Sequence, residues 1–286
     1  MLEIFNILGQ VDFIVNLSLV DIVRLWVGLA GLFLLANWFV SFSGPRSLRN
    51  SPIRRNSLAL YVPFLQILAW LILAGASMGI IDYFLDESLG WQKEFFIYSA
   101  VGIVEMVLII VYGYIGRHMF ARRLKGLGLN LRTIFSDFFS AAVNFVTVFP
   151  LVLLSIWLVI FFGRLIAGPD FGLDESEGLT VIIDNPQLVL RVLVIFFVAV
   201  VAPVFEELLF RGMVQSALRG VLFEPWLAIA ASSAIFAVMH PPTHWLPLFV
   251  LAGCMGYTYE KSGSLFRPIF IHIFFNAANV TAALLA

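Results

Sequence analysis

The most constraining feature of this sequence is a series of apolar runs, each close to the length that a membrane-spanning helix needs. Such a helix requires about 20 mostly apolar residues. Eight runs are present, at residues 18–40, 58–80, 95–116, 137–163, 188–210, 225–240, 245–259 and 267–285. The sixth and seventh are short, and helices of that length are credible inside a bundle. We therefore expect an all-α, polytopic transmembrane helix bundle with about eight spans.

The composition supports this fold class and excludes several others. Of 286 residues, 61% are hydrophobic and 12% are charged, whereas soluble domains are about half apolar and about a quarter charged. The single cysteine, Cys254, excludes an intramolecular disulfide and a CxxC-type metal site. No long Lys/Arg-rich run is present, so we expect membrane lipid around the protein and no nucleic-acid partner.

The charges of the connections predict the orientation. The four odd-numbered connections carry 4, 5, 2 and 2 basic residues, and the even-numbered ones carry only Lys93 and Arg164. This bias predicts a multi-pass cell-membrane protein with the odd connections in the cytosol and both termini outside. The polar stretch GPDFGLDESEGLT, residues 168–180, is either a linker between two parts of the bundle or an exoplasmic loop.

Several polar residues lie inside the spans, where lipid makes each unpaired one costly. Glu105 in the third span has no partner that the sequence reveals. Glu206 and Glu207 are adjacent, so their side chains point about 100° apart. Arg211 follows Glu207 by four residues, the favourable order for an ion pair. Glu206 is then left without a cation on its own helix, beside Pro203, which disturbs the helix. A carboxyl group in such a place is suited to accept a proton from water.

Two further pairs lie four residues apart on the following spans. Phe236 and His240 share one helix face, and so do His272 and Asn276. An imidazole and a carboxamide at that spacing could stabilise a developing negative oxygen. Each feature alone also suits a plain structural role, as a buried salt bridge or a hydrogen bond between helices. Together they form the inventory for splitting an amide or ester with activated water.

The segments EELLFRG, FAVMH and HIFFN resemble the three motifs EExxxR, FxxxH and HxxxN of the CAAX-processing and bacteriocin-processing (CPBP) family of intramembrane proteases. Its eukaryotic members are type II CAAX prenyl endopeptidases. The resemblance covers roughly residues 190–280. It implies a buried catalytic chamber in the C-terminal half, open toward the cytosolic side, in which Glu206 and His240 activate water. By the same resemblance, His272 and Asn276 hold the oxyanion.

The family pattern assigns supporting roles to Glu207, Arg211 and Phe236. We expect no metal cofactor, because too few ligands remain for a closed site. If the activity depends on a divalent metal such as zinc, we expect Glu206, His240 and His272 to be the ligands, because glutamates and histidines can bind zinc.

The function that follows is endopeptidase cleavage of a membrane-associated peptide or protein, with lipid-modified, prenylated CAAX-type tails as the substrate class that the resemblance implies. The alternative is a non-catalytic bacteriocin-immunity or scaffolding protein that binds a peptide in the same cavity. Residues 1–134 would form an accessory part, with three spans and an N-terminal interfacial helix. Residues 135–286 would form the catalytic core. Glu206 can meet His240 if the fifth helix continues past Gly212 or if the sixth enters from a shallow loop, and we expect the fifth helix to run on to about residue 219.

Overall fold

The computed structural model describes residues 19–41, 44–49, 51–86, 89–174 and 176–285. The expected interfacial helix at the N-terminus lies outside these residues. The described part of the chain contains helices joined by turns, with one isolated antiparallel bridge between Asn56 and Phe120. The expected all-α architecture is therefore confirmed.

A long helix occupies each of the eight apolar runs, and we number these helices α1 to α8. Their bounds are α1 Leu19–Val40, α2 Tyr61–Phe84, α3 Trp91–Met119, α4 Ile134–Ala167, α5 Leu188–Leu222, α6 Pro225–Val238, α7 Trp245–Ser262 and α8 Phe266–Leu285. Shorter helical turns lie in the connections, at Pro45–Leu48, Leu124–Leu127, Leu131–Thr133, Glu177–Asp184 and Pro242–His244.

Five of the long helices, α2, α3, α4, α5 and α8, are both long and apolar enough to cross a membrane. Helix α6 is apolar but has only 14 residues, and α7 ends in polar residues. A polytopic helical membrane protein is thus confirmed, while the count of eight spans stays a prediction. The division at residue 134/135 also stays a prediction.

The odd-numbered connections gather at one end of the bundle. The amide of Leu265 donates to the carbonyl of Gly128 at 3.0 Å, which joins the seventh connection to the third. Gly128 has a φ of +104°, and a Cβ there would lie 2.6 Å from the amide nitrogen of Leu265, so only glycine fits. The amide of Ala121 donates to the carbonyl of Arg55, which joins the third connection to the first.

The even-numbered connections meet at the opposite end. The hydroxyl of Thr243 donates to Asp174 at 2.6 Å, which ties the sixth connection to the fourth. The stretch at residues 168–180 is therefore not a free linker between two bodies. Its last residues enter the helix Glu177–Asp184, which buries Val181 and Ile182. This alternation agrees with the predicted topology, and the assignment of one end to the cytosol stays a prediction.

Helix α5 is the longest element near the polar motif residues, and its end explains how they meet. It runs on to Leu222, as expected, and Phe223 then takes a left-handed φ of 57° that reverses the chain into α6. Glu206 and His240 lie equally far along the chain from Phe223. Because helices rise by about 1.5 Å per residue, the two residues lie at similar heights.

Candidate active site

Helix α5 departs from α-helical geometry on both sides of the two glutamates. Phe197–Val201 and Leu208–Gln215 are π-helical, and Ala202–Glu207 between them is α-helical. Such π segments are rare and are frequent at functional sites. Every residue of Leu208–Gln215 is buried, so this part of α5 is the centre of the bundle. The sequence did not predict these segments.

A missing amide hydrogen in α5 explains the position of Asn276. The amide of Ala202 donates to the carbonyl of Phe197, five residues earlier. In the same register, the carbonyl of Val198 would accept from the amide of residue 203. That residue is Pro203, which has no N–H to donate. Nδ2 of Asn276 donates to the carbonyl of Val198 instead, at 2.8 Å. Helix α8 thereby repairs a break in α5.

Glu207 and Arg211 form the predicted ion pair. Oε1 of Glu207 lies 2.6 Å from Nη1 of Arg211, and both side chains are almost wholly buried. Nη2 of Arg211 also donates to the carbonyl of Ala252 on α7 at 3.3 Å. A buried pair of this kind needs such additional hydrogen bonds to offset its desolvation. The arginine therefore fixes α5 against α7 and holds Glu207 in place.

His272 lies between the two glutamates. Its Nδ1 is 2.9 Å from Oε1 of Glu207, and its Nε2 is 3.7 Å from Oε2 of Glu206. Among the described residues, Glu206 makes no ion pair with Arg211 of its own helix, and α8 brings this imidazole to it. The sequence placed His272 with the oxyanion donors and did not predict its contacts with both carboxyl groups.

The ring of Phe236 joins the remaining motif residues. Its centroid lies 4.8 Å from the ring of His240 and 5.9 Å from the ring of His272, and the guanidinium carbon of Arg211 lies 4.7 Å away. Phe236 is fully buried at the centre of this group. Phe236 thus spaces two imidazoles and an arginine around one ring, and its supporting role in a reaction stays a prediction.

The tautomer of His240 follows from its hydrogen bond. Nδ1 lies 3.0 Å from the backbone carbonyl of Phe236, which can only accept, so Nδ1 carries the proton. Nε2 is then left with a free lone pair in the neutral ring. Within the described residues, His240 makes no ion pair with Glu206 or Glu207. A bound water molecule is therefore needed to connect Glu206 with Nε2 of His240.

The predicted oxyanion pair is brought to one face of α8, and its donors are partly engaged. One N–H of Asn276 is used by Val198, and the carboxamide retains a second N–H. Nδ1 of His272 is directed at Glu207. The role of these two residues toward an oxyanion stays a prediction.

A metal site formed by Glu206, His240 and His272 was the alternative that the sequence left open. Over the described ranges, no group of three or more His, Cys, Asp or Glu side chains is arranged to hold an ion. Nδ1 of His240 points to its own helix, and Arg211 and His272 occupy Oε1 of Glu207. The metal requirement of the protein therefore stays untested, and no step is assigned to a metal.

A third carboxyl group reaches this region from outside the motifs. Glu105 of α3 is buried, and it lies close enough to Glu206 for that charge to act on it. The sequence marked Glu105 as unpaired and could not place it near Glu206, because the two residues are far apart along the chain.

Comparisons with known proteins agree with the motifs. Residues 188–278 match the sequence model of the family described as "Type II CAAX prenyl endopeptidase Rce1-like". A protein of Bacillus subtilis (strain 168), named "Putative membrane peptidase YdiL", is 31% identical over 106 residues. That alignment covers 36% of this chain and 41% of YdiL, so the chain spans less than half of that relative. No solved structure matches the chain. The segment that carries the three motifs is therefore Rce1-like, and the predicted family resemblance is confirmed.

Proposed function

We propose that this protein is an intramembrane endopeptidase that hydrolyses a peptide bond of a membrane-associated peptide or protein. One observation carries the proposal: His240 of α6 and His272 of α8 flank the ring of Phe236, and His272 also lies against both glutamates of α5. The Rce1-like segment and the named peptidase activity of the B. subtilis relative support it.

In the proposed reaction, Glu206 takes one proton of a bound water while Nε2 of His240 accepts a hydrogen bond from its other O–H, and the water oxygen attacks the scissile carbonyl carbon. The carbonyl becomes a tetrahedral oxyanion, and the second N–H of Asn276 and the ring of His272 stabilise it. The C–N bond then breaks as the abstracted proton passes to the leaving amine. Glu207 and Arg211 keep α5 and His272 in position throughout.

A groove beside the glutamates is the proposed route for the substrate. A cavity of about 340 Å³ lies between α3, α5 and α8. Val204 and Leu208, which flank the two glutamates along α5, line it together with apolar residues of α3, and Arg117 lies at its edge. Apolar walls suit a hydrophobic or lipid-modified tail. Arg117 and Leu124 belong to the end where the odd connections gather, so we place the opening on that side.

The proposal is tested with the purified protein in detergent and two peptides, one with a farnesylated CAAX tail and one unmodified. We expect cleavage by the wild type and a loss of about 10²- to 10⁴-fold in Glu206→Gln, which keeps the shape and removes the base. Glu224→Gln is the matched control, because Glu224 is exposed at the start of α6. The farnesylated arm shows whether the prenyl group is needed.

Two outcomes would redirect the proposal. Undiminished cleavage by Glu206→Gln would refute the assigned chemistry. Binding of the peptide without cleavage, equal in the wild type and in Glu206→Gln, would favour the non-catalytic binding protein. A chelator arm tests the metal: we expect equal rates with and without EDTA, and a loss restored by zinc would show that a metal is required.

A further inference from the structure

Glu105 occupies an unusual place on α3. The residues that α3 turns toward the bundle recur at helical spacing and are buried, and they are Tyr98, Gly102, Glu105, Leu108, Tyr112 and Gly116. Glu105 is the charged member of this stripe, and its exposed fraction is 3%. One turn earlier, a Cβ on Gly102 would lie 3.4 Å from the ring of Phe197, in the first π segment of α5. The stripe therefore packs directly on the distorted part of α5.

The surroundings of Glu105 are those of an uncharged group. The indole of Trp70 hydrogen-bonds its carboxyl group, and Oε2 has no hydrogen-bond partner among the described residues. Trp70 also packs on Phe205 at 5.2 Å, and Phe205 is fully buried. Glu206 directly follows Phe205 in the chain, so its carboxyl group is the charged neighbour of this pocket. An ionised carboxylate in apolar surroundings without a cation is very costly.

The proton can be placed on one oxygen. An indole N–H only donates, so the oxygen that it meets must accept, and Oε2 is the oxygen left to carry the hydrogen. Two neighbouring carboxyl groups favour a state in which they hold one proton between them. Glu206 has the imidazole of His272 at 3.7 Å, whereas Glu105 has no such partner in the described structure. The proton therefore belongs on Glu105.

We propose that Glu105 is a neutral positioning residue whose Oε2–H hydrogen-bonds the carboxylate of Glu206 through one water molecule and aims it at the reacting water. Glu105 lies outside residues 188–278, so this assigns part of the active site to a helix that the Rce1-like match does not reach. The positioning role rests on the proposed function. The protonation state does not.

Two substitutions separate this role from the alternatives. Glu105→Gln keeps a neutral group with an acceptor for Trp70 and an N–H donor for Glu206, and we expect its kcat within about threefold of the wild type. Glu105→Leu removes the donor, and we expect kcat to fall about 10- to 100-fold with KM nearly unchanged, because the base is no longer aimed. Thermal unfolding of both variants checks that they fold.

The kinetic outcomes decide the positioning role. Full activity of Glu105→Leu would overturn it. A loss in Glu105→Gln as large as that in Glu206→Gln would show that a carboxyl group is needed there, and would overturn the neutral-donor assignment. If Glu105→Leu does not fold, Glu105→Met is the second variant, with the same expected loss of kcat.

Infrared spectroscopy tests the proton without any substrate. A protonated carboxylic acid has its own carbonyl stretch, distinct from that of a carboxylate. We expect this band in the wild type and in Glu206→Gln, and its loss in Glu105→Gln. If the protein cleaves neither peptide but the band follows Glu105, the proposed function fails and the protonation stands. If the wild type and Glu105→Gln show the same carboxylic-acid carbonyl band, the inference is overturned.

Discussion

Two clusters of buried charge lie along α5, and they differ in how completely their carboxylates are matched by cations. The end cluster consists of Ser51, Arg54, Arg219 and Glu260. Oε1 of Glu260 accepts from Arg219 at 3.0 Å and from Ser51 at 2.9 Å, and Oε2 accepts from Arg54 at 3.3 Å. Arg54 also lies over the ring of Tyr259 and donates to its carbonyl. One carboxylate thus has two arginines.

The central cluster consists of Glu105, Glu206, Glu207, Arg211 and His272, and it has the opposite balance. Its three carboxyl groups share one arginine, which is taken by Glu207. Oε2 of Glu105 and Oε2 of Glu207 have no hydrogen-bond partner within the described structure. His272 is the second basic group, and it lies against both motif glutamates.

The difference indicates what each cluster is for. A matched cluster ties the first connection and α7 to the end of α5, and every charge in it has a use in holding the fold. A cluster with surplus carboxyl groups is a poor way to hold a fold, because each unmatched buried acid costs free energy. Unmatched ionisable groups inside a membrane protein are typical of functional sites. We therefore expect substitutions in the two clusters to have different consequences.

The largest expected effect on stability is in the central cluster. Arg211→Met leaves Glu207 buried without its cation, and we expect a loss of about 3–5 kcal/mol in the free energy of unfolding. We expect the cleavage activity to be lost as well. Arg122→Met is the control, because Arg122 is exposed. Denaturation in detergent measures the stability of both variants, and the peptide-cleavage assay measures their activity. Equal stability of the two variants would mean that the pair contributes nothing to holding α5 in place.

The end cluster sharpens the comparison. Glu260→Gln removes the carboxylate from two arginines, and we expect a loss of about 1.5–3 kcal/mol, the range for hydrogen bonds to charged groups. The rate of peptide cleavage per folded molecule should stay unchanged, in contrast to Glu206→Gln. A loss of rate in a fully folded Glu260→Gln protein would contradict the division into a structural and a functional cluster.

The smallest expected effect concerns the repair of α5 beside the central cluster. Asn276→Ala leaves the carbonyl of Val198 unpaired, at a cost of about 1–2 kcal/mol. Pro203→Ala restores an N–H five residues after Val198, so in the double variant part of the stability should return. Strictly additive losses in a double-mutant cycle would contradict the repair. If Asn276 also stabilises the oxyanion, the catalytic rate of the double variant should stay low. The N–H that Pro203→Ala introduces pairs with the carbonyl of Val198 and cannot replace the carboxamide in that second role.

The helices and the local pairs were predictable from the sequence because their signals are local. Apolar runs predicted all eight long helices, and the spacing of Glu207 and Arg211 predicted their ion pair. The continuation of α5 past residue 219 followed from the need to bring Glu206 and His240 to one level. The helix Glu177–Asp184 was missed, because its polar first turn reads as a loop.

The contacts of His272, Asn276 and Glu105 were not predictable, because each partner lies on another helix. Spacing along α8 put His272 and Asn276 on one face and said nothing of which carbonyl or carboxylate faces them. The carbonyl of Val198, which Pro203 cannot serve, likewise finds its donor on another helix, in the carboxamide of Asn276.

The sequence by itself determined a helical membrane protein, the order of its spans and the residue types available for chemistry on each. Only the tertiary structure decided which acid meets which base, and that the buried face of α3 with Glu105 packs on α5. The physical reason is the solvent. Inside a bilayer no water satisfies a polar side chain, so each one must find its partner across the bundle, and that choice is made by packing.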